Sequence, residues 1–164
     1  MMHKTARLSR ALVLVTVGTA LLGAVHADPV TDLAQEKASI RMVIGSTWDT
    51  PEAKVVIDPV VVDGEHAIAS WTQGEHGGRA LLRRRDAAWA VILCSGDPLK
   101  EAPALIEAGV PESSAKRLAA KLAAVEQLAD PRRVRLFSTF EGVMKMEDNG
   151  SEHHQAPHHS DHHH

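Results

Sequence analysis

The chain has 164 residues, with 18 lysines and arginines against 21 aspartates and glutamates, one cysteine and no tyrosine. A net charge of −3 with neutral histidines leaves no electrostatic footprint for nucleic acid, and one cysteine excludes an intramolecular disulfide framework. Stability must come from a hydrophobic core, and the length suits a single domain.

Lys4, Arg7 and Arg10 precede the apolar run "ALVLVTVGTALLGAV" (11–25), and Val25 and Ala27 are the small residues expected before a cleavage site. This pattern predicts a secretory signal peptide over 1–27. The run is short for a bilayer span and no similar run follows, so the expected product is exported, periplasmic and not membrane-embedded. Removing Lys4, Arg7 and Arg10 and no acidic residue leaves 15 basic against 21 acidic groups, a net charge of −6.

From Asp28, Leu33, Ile40, Met42, Val43 and Ile44 recur at roughly helical spacing behind a capping candidate, Thr31 or Asp32. A helix over about 31–44 is predicted, ended by Gly45 and barred from continuing by Pro51. "AKVVIDPVVVDGEHAIASWTQ" is β-branched, and Asp63-Gly64 is a hairpin signal between two strands. Pro59 places the first strand at a sheet edge or on a bulge.

A second hairpin follows "GEHGG", with "RALLRRR" and "AWAVILC" flanking Asp86-Ala87. A two-residue turn there sets Leu82 opposite Val91, Ala80 opposite Leu93 and Arg84 opposite Trp89, while the other face pairs Leu81 with Ile92 and Arg79 with Cys94. A one-residue slip exchanges the faces.

"KEAPALIEAGV" suits a short helix, and "PESSAKRLAAKLAAVEQLA" aligns Ala115, Leu118, Leu122, Val125 and Ala129 on one stripe. Asp130 caps a further short element beginning at Pro131, in which Val134, Phe137 and Phe140 recur every three residues. Periodicity then disappears. The expected organisation is a single α+β domain over 28–141 and a disordered Met/His-rich tail over 142–164. Within the domain, an N-terminal helix, a four-stranded antiparallel meander and C-terminal helices packed on one face give a cystatin-like or NTF2-like order.

The chemistry concentrates at the carboxyl end. His153, His154, His158, His159, His162, His163 and His164 fall as two pairs and a triplet, interrupted by Gln155, Ala156, Pro157, Ser160 and Asp161. Such interruptions read as encoded sequence rather than an expression tag. Imidazole binds copper, zinc and nickel, and the affinity order of nitrogen sites peaks at Cu(II). Met144 and Met146 add thioethers, which select Cu(I), so copper in either oxidation state is the expected ligand. The competing readings are a solvated low-complexity tail and two methionines that merely finish the last packed element.

Cys94 is a further candidate ligand, or a nucleophile if Arg79 lies opposite and favours its thiolate, or simply a small buried hydrophobe. His66 follows a hairpin turn and His76 sits in the glycine-rich connection; they meet only if that loop folds back. No GxSxG, HExxH, phosphate-cradling glycine loop or CxxC is present, and the expectation is a protein that is not an enzyme.

Over 70–100, "SWTQGEHGGRALLRRRDAAWAVILCSGDPLK" resembles the copper uptake system-associated proteins, a family of small exported bacterial proteins. Trp71, Gln73, Gly74, Gly77-Gly78-Arg79-Ala80-Leu81-Leu82, Trp89 and Leu93-Cys94-Ser95-Gly96-Asp97 carry it. The resemblance implies association with copper import and supplies no catalytic residues or ligand set. Together these features suggest a periplasmic copper-binding accessory or chaperone that passes the ion to a membrane or periplasmic copper transport protein. The alternative is a non-metal protein-binding module whose histidine tail is incidental.

Overall fold

The computed structural model describes residues 29–146. The expected signal peptide (1–27) and the histidines from 153 onward lie outside the described residues.

Helix α1 (Pro29–Trp48) leads into an antiparallel sheet of β1 (Val56–Asp63), β2 (His66–Gln73), β3 (His76–Arg85) and β4 (Ala88–Ser95). A 3-10 turn (Asp97–Lys100), then α2 (Ala102–Glu107), α3 (Glu112–Glu126) and α4 (Pro131–Leu136), bring the chain back to add β5 (Val143–Lys145) beside β4. The strands are ordered β1-β2-β3-β4-β5, a meander throughout. The expected α+β order is present, with one more strand. No helix among the described residues is long and apolar enough to cross a membrane.

Local chemistry explains the hairpins. Each of the first two is closed by a two-residue loop whose leading glycine, Gly64 or Gly74, has positive φ (58° and 61°), as a II′ turn requires. The first loop is therefore Gly64-Glu65, and Asp63 is already paired with His66. Asp86 and Ala87 both take positive φ, which gives the third hairpin its I′ shape and the registers Arg84↔Trp89 and Leu82↔Val91. Pro59 stands on the edge strand β1, where the register shifts between Ile57 and Val60. Asp130 caps α4 by accepting from the Arg132 amide at 2.9 Å.

The helices divide between the two sheet faces, correcting the expectation that they share one. On one face Ile40 and Ile44 of α1 pack on Ile57, Val60, Ala67, Ala69, Ala80 and Leu82. Three small alanines let the helix approach closely. On the other face Val61, Ile68, Leu81 and Leu93 meet Leu105, Ala115, Leu118 and Leu122 of α2 and α3. The physical reason lies in β2 and β3, where "AIA" and "ALL" are apolar on both alternations and so need cover on both sides. Helix α1 also runs through Gly45 to Trp48, because burial of Ile44 and packing of Trp48 outweigh a glycine's modest helix penalty.

Candidate metal site

Sequence and register together decide where Cys94 goes. A bulge in β4 takes up one residue, so that Leu82 pairs with Val91 but Leu81 pairs with Leu93. Beyond it Ala80 pairs with Cys94 and Arg79 with Ser95, which overturns the expected Arg79–Cys94 pair. Cys94 therefore joins the α1 face, 3% exposed, and burial pushes its thiol up to about 11. The arginine-activated thiolate is corrected to a protonated, buried thiol.

Strand β5 brings the methionines to it. Cys94 has Met144 directly opposite on the β4–β5 ladder, and the Met146 amide donates to the Ile92 carbonyl at 2.8 Å. Met144 is 41% exposed, whereas Met146 is partly buried against the same apolar cluster that holds Cys94. A cavity of about 90 Å³ lies between α1 and the sheet, lined by Ile44, Trp48, Trp71, Cys94, Phe140 and Met144. The tail boundary expected at 142 thus moves, since residues 143–145 are an ordered strand.

What holds β5 in place is the segment before it, and that segment sits on the glycine-rich string 77–97. A Cβ on Gly77 would stand 2.7 Å from the Trp71 carbonyl and 2.9 Å from that of Leu136; one on Gly96 would stand 2.6 Å from the Phe140 carbonyl. Only glycine permits so close a backbone approach. The Gly77 amide donates to Thr139 Oγ1 at 2.9 Å, Ser95 Oγ donates to the Gly142 carbonyl at 2.8 Å, and Phe140 meets Trp71 edge-on at 5.9 Å.

Beneath this seat Arg79, wholly buried, donates from Nε to Glu126 Oε1 at 2.8 Å and from Nη2 to Oε2 at 2.9 Å. Its Nη1 reaches the Phe137 carbonyl and Asp97 Oδ1, both at 3.3 Å, and Asp97 accepts from Ser138 Oγ at 2.7 Å. The Ser138 hydroxyl holds the Asp97 carboxyl below its ordinary range. Arg79, Glu126 and Asp97 were not singled out from sequence as one unit. Their signals were present: an arginine leading an apolar run, and a glutamate one turn after Leu122 beside the apolar stripe.

The two other candidates fall elsewhere. His66 pairs with Asp63 and Arg83, whereas His76 pairs with Gln73 at the opposite end of the β2–β3 hairpin, about 23 Å away at the rise of a strand. No loop folds back to join them; His76 is the first residue of β3. His66 is 8% exposed, and burial, with the nearby Arg83 charge, lowers its pKa. By strand alternation His66 shares the α3 face, away from Cys94. Neither histidine completes a site with the sulfurs, and among the described residues no three His, Cys, Asp or Glu gather to hold a metal.

At the far end of β1, Asp63 is clasped by α3. It accepts from Arg117 Nη2 at 2.8 Å, Lys121 Nζ at 2.9 Å and the Ser114 hydroxyl, and these bonds, Arg117's first, hold its carboxyl well below the ordinary carboxylate range. This is a structural clamp between β1 and α3.

No family model, curated protein or solved structure matches the chain.

Proposed function

We propose that the chain is a periplasmic accessory protein that collects copper and hands it to an uptake system. The observation that carries this reading is the crowding of seven imidazoles into residues 153–164, a short way along the sequence from Met146, whose amide is tied to the Ile92 carbonyl of the domain. Uncharged imidazoles are the commonest metal ligands in proteins, and Cu(II) heads the affinity order for nitrogen donors. Pro157 prevents a regular helix through the cluster, so ligands converge by wrapping of the chain. Such a collector is adaptable and binds quickly rather than selectively. The α+β domain supplies the platform from which the ion passes to a membrane or periplasmic copper transport protein.

Titration of the mature chain with Cu(II), with and without residues 147–164, tests the reading. Deletion is expected to remove most of the bound metal and leave the domain folded, because β5 and its seat are retained. Unchanged stoichiometry contradicts it.

A second reading, a protein-binding module indifferent to metal, is favoured by one observation. Met42 on α1 is largely exposed beside a groove that runs from Gln35 to Trp89 and Arg84. A partner retained from periplasmic extract equally with and without chelator supports that reading over the first.

A further inference from the structure

We infer that Cys94, Met144 and Met146 form a second metal site, inside the folded domain, that takes Cu(I) and excludes divalent ions. This rests on the copper reading above and adds to it the oxidation state and the ligands.

Three observations meet there. Register places Cys94 and Met144 directly opposite each other, so their Cβ atoms lie about 4.5–5.5 Å apart, and the two-residue period brings Met146 to the same face. Thiolate and thioether are the donors that favour Cu(I). Cys94 and Met144 line a common cavity, beside which Met146 packs on the same cluster; the rest of its lining is apolar and aromatic, apart from Gln73, whose amide donates to the Trp48 and Ala53 carbonyls at 3.0 Å each.

Charge decides between ions. A cysteine thiolate with Cu(I) is neutral overall, and a neutral group can sit in an apolar cavity at little cost. The same ligands around a divalent ion leave one uncompensated positive charge, and burying an unpaired charge is strongly unfavourable. Among the described residues no imidazole or carboxylate lines the cavity to relieve it.

Binding is an exchange: the Cys94 S–H bond breaks, a Cu–S bond forms, and one proton leaves to solvent with no change of oxidation state. An ordinary cysteine thiol keeps its proton up to about pH 8, and each ion bound displaces that proton, so Cu(I) affinity should rise by about tenfold per pH unit from 6 to 8. Histidine ligands, titrating near 6.5, would show a slope that fades over the same interval. The exposed Met144 is the entry, giving the ion a first thioether before it reaches the thiol.

The test uses the full mature chain carrying His153→Asn and the same change at His154, His158, His159, His162, His163 and His164, with Cu(I) alone as probe against a chromogenic chelator. One ion per chain is expected, with one proton released and the slope given above. Cys94→Ser should weaken binding by at least about 10- to 100-fold, the loss that follows removal of a group merely supporting a ligand. Since Cys94→Ser alters a buried position, Met144→Leu with Met146→Leu serves as the companion; it conserves volume and should weaken binding by at least about tenfold. Undiminished Cu(I) affinity in both variants overturns the inference, as does loss of all Cu(I) binding when the tail histidines alone are changed. A wild-type chain that binds neither Cu(I) nor Cu(II) overturns the copper reading itself.

Discussion

The two faces of the sheet are built on opposite principles. The α3 face is tied by buried charge, with Arg79 bidentate on Glu126 and Asp63 held by Arg117, Lys121 and Ser114. The α1 face has alanines, sulfur and a small cavity. A fully partnered ion pair fixes geometry, because any movement strands a buried charge. An apolar face of small residues leaves room. The contrast assigns rigidity to one side and a small cavity to the other, and Arg79 links them: its partners Phe137 and Asp97 also hold the segment that delivers β5 across the sheet edge to Cys94.

The sharpest way to break this contrast is Glu126→Ala. It leaves the buried Arg79 guanidinium only its 3.3 Å contacts to Asp97 and the Phe137 carbonyl and should cost about 3–5 kcal/mol, read by urea denaturation. Hydrogen exchange at the Met146 amide should accelerate with it, because β5 loses its seat. An unperturbed amide would detach the charged face from the sulfur face.

Asp63→Asn comes next, at about 2 kcal/mol for hydrogen bonds to a charged group. The pH dependence has a definite sign. Folding depresses the Asp63 pKa below its ordinary 3.8, so its contribution is complete above that value and is lost as pH falls toward the folded pKa. Acid unfolding of the wild type should therefore steepen below about pH 4, and Asp63→Asn should remove that part of the steepness.

The smallest effect sharpens the comparison from the other side. Met144→Leu with Met146→Leu conserves volume and should cost less than about 1.5 kcal/mol, although it removes two of the three sulfurs. A loss as large as that of Glu126→Ala would make the methionines structural rather than ligating.

Much of the sheet was legible in the sequence because its signals are local. Pro59 marked the edge strand and its irregularity, Asp86-Ala87 set the third turn, and Arg84 lies opposite Trp89, its guanidinium 4.7 Å from the ring centre. The α3 stripe held at Ala115, Leu118 and Leu122. What the sequence hid is non-local. The bulge that carries Cys94 onto the α1 face has no composition signal in "AWAVILCS", where every register looks apolar. Strand β5 has three residues and no buried side chain, so neither periodicity nor propensity marks it; the seat at Gly77 and Gly96, far earlier in the chain, specifies it. The division of helices between faces was readable in the two-sided apolarity of β2 and β3. The separation of His66 from His76 follows from Gly74-Glu75 being the loop, which makes "HGG" strand rather than connection.

Whether the chain carries copper is tested most directly by the metal content of the untagged protein purified from its own cells under copper-replete growth. Copper at one ion or more per chain is expected, reduced but not abolished when residues 147–164 are missing. Protein that emerges free of copper, or loaded only with other metals, contradicts the copper reading.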